Sequence, residues 1–311
     1  MQNETTESSA MSSQDLERPL TFRLLHESPV VTVRDYRCAS CRGGPSKEES
    51  SDSNNIVLLR RGVFCKHHGR RDVSIDVNQA AFFSKGSPYR VSHPAECGDR
   101  GTVFTLAPDV LCDIVGEIDP ASADHPERPF LVASGPCDAA AFRQHRALTL
   151  QLESCDAREP LEIEEKALQL MARVLKAAHA PRMKTRRRTR TGIDHAERAE
   201  SAKSYLASRI GERITLSDAA GAANASPFHF SRLFLQHTGM PVHRYLTLLR
   251  LRASIEWLLE GTADLAVLAL ELGFSSHSHF TSAFRSEFGC PPSGMRKCSR
   301  TLREMSNILK A

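Results

Sequence analysis

The chain writes one phrase twice: SPFHFSRLFLQHTGMP from Ser226 to Pro241 and SHSHFTSAFRSEFGCP from Ser276 to Pro291. The two align without a gap at an offset of 50 residues, which sets Phe230 on Phe280, Phe234 on Phe284, Gly239 on Gly289 and Pro241 on Pro291. Repetition in register marks one supersecondary unit used twice. In the first copy, Thr215 and Asp218 make a capping box ahead of a short helix whose Ala219, Ala220 and Ala223 form a small-residue face for close packing. The turn Asn-Ala-Ser then leads to Ser226 as N-cap and Pro227 at the first helical position.

In the helix that follows, Phe230, Leu233 and Phe234 fall at i, i+3, i+4 and face inward, which leaves Phe228, His229, Ser231, Arg232 and Gln236 outside. The second copy predicts the same pair, with Thr262 as cap, Leu265, Leu268 and Leu272 as core, and Ser276 capping a helix that exposes His277, Ser278, His279, Thr281 and Ser282. A short helix, a tight turn and a second helix with polar first turns is a helix-turn-helix, whose second helix enters the DNA major groove. Trp257, on the helix between the copies, reads as core.

The whole chain sets the bounds. Its 311 residues fit two domains, each able to bury its own core. A net charge of +4 does not by itself announce nucleic acid, so the distribution of charge matters more than its sum. No stretch reaches the roughly 20 apolar residues of a membrane span. The opening MQNETTESSAMSSQDLERP lacks the basic and apolar regions of a signal peptide, so a cytoplasmic protein is expected, with no membrane partner. There the 9 cysteines are expected as thiols rather than a disulfide framework.

Residues 1–20 read as a disordered arm. From Thr21 to about Val115, short β-like runs (PVVTVRDYRC, NIVLLRRGVFC, DVSIDV, AAFFS, YRVSH, TVFTL) separated by turn residues predict a compact antiparallel barrel or sandwich. Amphipathic helices are expected over 138–154 and 161–180, placed to pack on the barrel or on a second subunit. The run PRMKTRRRTRTG, with Arg182, Lys184, Arg186, Arg187, Arg188 and Arg190 and no acid, reads as a basic linker over 181–198, either a solvated, flexible connection or an added phosphate contact, two readings that are compatible. A domain over 199–311 carries the repeat. The fold class expected is α+β multidomain: an antiparallel β-barrel with flanking helices at residues 21–180, then an all-α domain of two helix-turn-helix units.

From Ala199 to Lys297 the chain resembles the DNA-binding domain of the AraC/XylS family of bacterial transcription regulators. The resemblance rests on SRLFLQHTGMPVHRYL, LLRLRAS and GFSSHSHFTSAFRSEFGCPPSGMR, and it covers about a third of the chain. It implies two recognition helices in successive major grooves, about 34 Å apart. Base-facing positions then fall on Phe228, Ser231 and Arg232 in the first helix, and on Ser278, His279, Thr281 and Ser282 in the second. Well-known members often place an arginine where this chain has Ser282, so the second helix is expected to read bases less strongly. Arg232 is the strongest candidate, because a guanidinium pairs bidentately with guanine.

The stretch from Leu59 to Phe104 resembles the cupin-like sensor domain of many such regulators, through Gly-Val-Phe, Phe-Phe, Pro-Tyr-Arg-Val-Ser-His-Pro and Gly-Asp elements. This implies an effector pocket near Phe82, Phe83, Tyr89, Arg90 and His93. Enzymatic cupins hold metal with histidines two apart on a strand. His67 and His68 are adjacent and point to opposite faces, so no metal, cofactor or catalytic residue is expected, unless folding gathers one of them with His93 and Cys97. Cys38, Cys41, Cys65 and Cys97 stand as a candidate thiol sensor against a reading as small buried hydrophobes. The four-cysteine zinc centre of methyl-accepting repair regulators needs a second Cys-x-x-Cys, which is absent.

The expected function is a non-enzymatic, sequence-specific regulator of transcription. Its expected partners are double-stranded promoter DNA, RNA polymerase, a small-molecule effector and a second copy of the chain. The alternative is a cupin-type metal-binding protein or a thiol-based redox or electrophile sensor, with enzymatic cupin activity the last choice.

Overall fold

A computed structural model describes residues 20–40, 43–69, 71–95, 98–120, 129–153, 159–179, 190–260 and 264–298. The expected arm, most of the basic run and the cap at Thr262 lie outside them. The first half is a β-sandwich backed by helices. Strands β1 (Leu20–Glu27), β2 (Val31–Cys38), β3 (Glu49–Ser50), β4 (Asn55–Arg61), β5 (Val63–His68), β6 (Arg71–Asp76), β7 (Gln79–Phe83), β8 (Pro88–Ser92), β9 (Asp99–Leu106) and β10 (Ser134–Pro136) form two antiparallel sheets. Their orders are β1-β2-β9-β4-β7-β10 and β3-β8-β5-β6.

Alternation of side chains explains the layering. On the large sheet Ile56, Leu58, Ala80 and Phe82 point one way, into a core shared with helices α1 (Pro108–Ile118), α2 (Ala139–Glu153) and α3 (Pro160–His179). Val57, Leu59, Ala81 and Phe83 point the other way, towards Phe64 and Ile75 of the small sheet. Strands buried on both faces lose the polar alternation of a surface strand, and β4 and β7 accordingly read as apolar runs.

The α+β class stands, with two corrections. The strands form two sheets rather than a closed barrel among the described residues, and the space between them is filled by side chains. Phe83 meets Tyr89 edge-on at 4.8 Å, and the buried Lys66 ammonium lies 4.1 Å from the Phe83 ring while donating to the Phe82 carbonyl. Residues 108–118, those to about Val115 expected within the β region, are helical. Pro108 stands at its start, Asp109 in its first turn, and Leu111 and Val115 are buried one turn apart.

The second half is helical: α4 (Arg190–Ser208), α5 (Leu216–Ala222), α6 (Pro227–Thr238), α7 (Val242–Glu260), α8 (Leu265–Glu271), α9 (His277–Phe288) and α10 (Pro292–Cys298). Helix α4 takes up the second part of the stretch expected as linker. It packs on β5 and β6, and α7 packs on β4. Trp257 of α7 is half-buried, with the Arg61 guanidinium 4.4 Å from its ring.

The seam between the halves is polar and buried. Tyr245 Oη donates to Asp76 Oδ2 at 2.6 Å, and Arg252 donates to the carbonyls of Val77 (3.0 Å) and Cys137 (2.9 Å) while facing the Phe142 ring at 4.6 Å. Arg146 pairs with Glu256 at 2.6 Å. Glu200 ties two other elements, β6 and α6, to its own helix α4: it accepts from the Ser74 amide (2.8 Å) and from Lys203 of α4 (2.8 Å), and meets His237 Nε2 of α6 at 2.7 Å. Burial would raise the Glu200 carboxyl, but Lys203 and His237 outweigh it and hold the group at about 2.

A carboxyl depressed in the folded state stabilises that state above its unfolded value and loses the contribution as pH falls towards the folded value. Glu200→Gln is therefore expected to lower the unfolding free energy at neutral pH by about 2–3 kcal/mol. It is also expected to flatten the loss of stability below the ordinary glutamate value of 4.5, as measured by urea denaturation at a series of pH values.

Candidate nucleic-acid interface

Each repeated unit is built by its caps. In the first, Thr215 Oγ1 accepts from the Asp218 amide while Asp218 accepts from the Thr215 amide, the reciprocal box expected at the start of α5. Ala219, Ala220 and Ala223 are buried. The turn places Asn224 at φ 47°, a left-handed position that asparagine tolerates, and Arg198 of α4 donates to its carbonyl at 2.9 Å. Ser226 accepts from the His229 amide to start α6, and Gly239 ends it at φ 76°.

In the second unit Ser276 accepts from the His279 amide to start α9, and Gly289 ends it at φ 75°. Here the first cap differs from the expectation. Asp264, not Thr262, accepts from the amides of Ala266 and Val267. The first helices of the two units correspond at an offset of 49, Thr215 with Asp264 and Leu216 with Leu265, whereas the second helices correspond at 50. The second turn is thus one residue longer, with Gly273 as its left-handed residue at φ 75°.

Phe230, Leu233, Phe234, Phe280 and Phe284 are buried, so the outer faces follow. Phe228, His229, Arg232 and Gln236 on α6 and His277, Ser278, His279 and Ser282 on α9 are exposed, while Ser231 and Thr281, equivalent positions, are half-buried. Several are already engaged. Ser231 Oγ donates to the Phe228 carbonyl at 3.0 Å, Thr281 Oγ1 lies 3.4 Å from His277 Nε2, and His279 Nδ1 lies 3.1 Å from Ser275 Oγ. The His229 ring packs edge-on against His195 of α4 at 5.2 Å, a partner the local sequence does not announce. Phe228 is 74% exposed, and the Arg232 guanidinium lies 5.9 Å from its ring centre.

The electrostatics suit a polyanion. Helix α6 contains no carboxylate, and the single one on α9, Glu287, is buried against Arg244 at 2.5 Å. Arg285 is exposed three residues beyond Ser282 and was missed as a candidate. Its helical spacing with Ser278 and Ser282 (i, i+4, i+7) is the signal that finds it.

The residues expected to line an effector pocket are not brought to one cavity. Phe82 and Phe83 face opposite sides of β7, the former against Phe130 at 5.2 Å and the latter with Phe64 and Tyr89. Arg90 is exposed, and His93 sits with Cys38. A charged cleft of about 270 Å³ lies elsewhere, between the large sheet and α7, lined by Arg37, Arg60, Arg100, Arg146, Asp35, Glu153, Glu256 and Glu260 among others.

The two candidate thiols among the described residues have different neighbours. Cys65 contacts Ser74 and Ser204, whereas Cys38 lies 3.7 Å from His93 Nε2; Cys41 and Cys97 lie outside the described residues. Burial would raise the Cys38 thiol, but hydrogen bonds from His93 and Ser40 lower it. The bond to Asp99, with that to Cys38, raises the His93 imidazole to about 10. His67 is held by Asp72 and Ser92 (both 2.7 Å) and His68 by the Pro88 carbonyl (2.8 Å), so folding does not gather either with His93.

Comparison with known proteins bears on the helical half. Residues 219–297 match the family model described as a helix-turn-helix domain. The regulatory protein PocR of Salmonella typhimurium is 28% identical over 109 residues, which are 35% of this chain and 36% of that protein. The RCS-specific HTH-type transcriptional activator RclR of Escherichia coli is 34% identical over 92 residues, 30% of this chain and 32% of that protein. The chain thus matches about a third of the length of these curated relatives. A crystal structure of a transcriptional regulator with an AraC-type DNA-binding domain, from Chromobacterium violaceum, is 28% identical and covers 34% of this chain and 94% of its own, with a TM-score of 0.32. Among the described residues no helix is long and apolar enough to cross a membrane.

Ser226→Ala and Ser276→Ala are each expected to cost about 1 kcal/mol of stability through loss of a cap. Phe228→Ala is expected to change it by less than about 0.5 kcal/mol, because its ring is exposed. Thermal or urea denaturation of the three variants checks both statements.

Proposed function

We propose, from the premise that residues 219–297 are a helix-turn-helix domain of the AraC type, that the whole chain is a sequence-specific, DNA-binding regulator of transcription. The observation that carries this reading is the duplicated, capped helix pair whose outer faces hold hydrogen-bonding side chains and no free carboxylate. Amides at the starts of α6 and α9 favour phosphates, so both helices approach DNA by their N-terminal turns. Arg232 reads guanine, and Phe228 lies against a thymine methyl or a sugar. The second helix, with Ser278, His279, Thr281 and Ser282, offers shorter donors and contributes less discrimination, while Arg285 supplies a phosphate contact.

Control comes from the N-terminal half. Glu200 joins β6, α4 and the last turn of α6, so a shift of the small sheet reaches a recognition helix through one carboxylate. A small polar effector is accommodated by the charged cleft, which both halves line. Binding there acts by preferring one arrangement of the halves over the other. Further partners on this reading are RNA polymerase and a second copy, paired through β1, an edge strand that exposes Leu20, Phe22 and Leu24 on one face.

Selection of DNA fragments from a randomised pool by the full chain is expected to enrich a site with two elements about one helical turn apart. On that site Arg232→Ala is expected to lose about 10- to 100-fold in affinity, with little change on unrelated DNA. Failure to enrich any sequence, with only steeply salt-dependent uniform binding, counts against the reading. Phe22→Glu is expected to shift the chain from dimer to monomer in sedimentation, if β1 is the pairing edge.

A further inference from the structure

Tyr36, Asp99, His93 and Cys38 form a row along one face of the β2–β9 ladder. Residues two apart on a strand share a face, so Tyr36 and Cys38 of β2 lie together, opposite Gly101 and Asp99 of β9. Gly101 makes room for the tyrosine, because a Cβ there would stand 2.6 Å from Tyr36 Cε1. Tyr36 donates its hydroxyl to Asp99 Oδ1 at 2.7 Å, and Asp99 Oδ2 lies 3.0 Å from His93 Nδ1. The other ring nitrogen of His93, Nε2, lies 3.7 Å from Cys38 Sγ.

The row sets the charges of its members. Asp99 is 2% exposed, and a carboxylate so placed calls for a cation. His93 supplies it, since its bonds to Asp99 and to Cys38 raise the imidazole to about 10. A protonated imidazole has two N–H donors, and the one that Asp99 leaves free faces the sulfur. Burial raises the Cys38 thiol, but hydrogen bonds from His93 and Ser40 outweigh it and bring the thiol below its ordinary value. A sulfur, a histidine within its reach and a third group that orients the histidine are the parts of an activated nucleophile. Cys65 differs, because its sulfur meets the hydroxyls of Ser74 and Ser204.

We propose that Cys38 is a site of reversible oxidation by a small neutral hydroperoxide, with His93 as proton donor and with Asp99 and Tyr36 as positioning residues. Access sets the size of the reagent: Cys38 is 7% exposed and the His93 side chain 15%, which admits a molecule of a few atoms. Charge sets its neutrality, because a thiolate and a carboxylate outnumber the one imidazolium and repel an anion. In the step, the Cys38 thiolate attacks the hydroxyl-bearing oxygen of the peroxide. A sulfur–oxygen bond forms from the sulfur electron pair as the oxygen–oxygen bond breaks, so sulfur is oxidised to the sulfenic acid and the peroxide is reduced. The departing oxygen takes the Nε2 proton of His93 and leaves as water or an alcohol, and His93 recovers a proton from solvent. A thiol reductant returns the sulfenic acid to the thiol. None of this depends on the DNA-binding reading.

The full chain is treated with hydrogen peroxide in the presence of dimedone, which traps sulfenic acid, and the labelled cysteines are located by peptide mass spectrometry. A free thiol is only slightly ionised at neutral pH, and the gain from ionisation is partly offset by lower basicity. Cys38 is therefore expected to label about 10-fold faster than Cys65. His93→Gln is expected to lose that advantage. In the unmodified chain the Cys38 rate is expected to fall at high pH as His93 loses its proton, at about 10. In Asp99→Asn the imidazole lacks the carboxylate that raises it, so this fall moves to lower pH; a merely structural role for Asp99 leaves it in place. Labelling of Cys38 no faster than Cys65 in the unmodified chain overturns the proposal however the variants fold. Label on Cys41 or Cys97 in place of Cys38 overturns it equally, and an unmoved pH profile in a folded Asp99→Asn chain overturns the role given to Asp99.

Discussion

Charge buried between the two halves is the constraint on which the architecture rests. Arg252, Arg146 and Asp76 are almost entirely removed from solvent, and Glu200 and Glu256 nearly so. An ionised side chain in such surroundings is tolerated only with partners and hydrogen bonds in place. Here the partners come from the other half: carbonyls of Val77 and Cys137 for Arg252, Tyr245 for Asp76, Glu256 for Arg146, and the Ser74 amide for Glu200. The seam therefore has few acceptable intermediate states. It is either closed with these contacts made, or open with the groups returned to water. That property suits a protein whose two halves must adopt discrete arrangements rather than slide past one another.

The helical half was the most legible in the sequence because its determinants are local. A serine followed by a helix of phenylalanines at i, i+4 declares a cap and a buried face within a few residues, and the second copy repeats the declaration. The cap of α8 escaped because the repeat is not uniform: the extra turn residue sets the first helices at an offset of 49, whereas a uniform 50 would set Thr215 on Leu265, whose side chain cannot cap, so the true cap, Asp264, is not marked by the register of the second helices. Helix α1 escaped because Leu111, Ile114, Val115 and Ile118 follow directly on the apolar strand β9, where a short run reads as strand or helix equally well.

What a single chain position does not disclose is what stands opposite it in space. The expected pocket gathered aromatic residues that are neighbours in sequence, yet consecutive residues on a strand face opposite ways, and Phe82 and Phe83 accordingly enter different cores. The charged cleft draws Arg37 from β2, Arg60 from β4, Arg146 from α2 and Glu256 from α7, and no local pattern joins them. The pairing of His229 with His195 and the meeting of Cys38 with His93 and Asp99 are likewise products of tertiary structure.

The three-way hold of Glu200 also bears on how such chains are assembled over time. Sensor and reader domains are often treated as interchangeable parts joined by a tether. A recombination event that replaced the first half of this chain would leave Glu200, Tyr245, Arg252 and Glu256 facing a surface not made for them. Each of these would then require either a matching group or exposure to water. The boundary drawn by the basic run is thus a boundary of sequence only, and inheritance of the two halves is coupled across it.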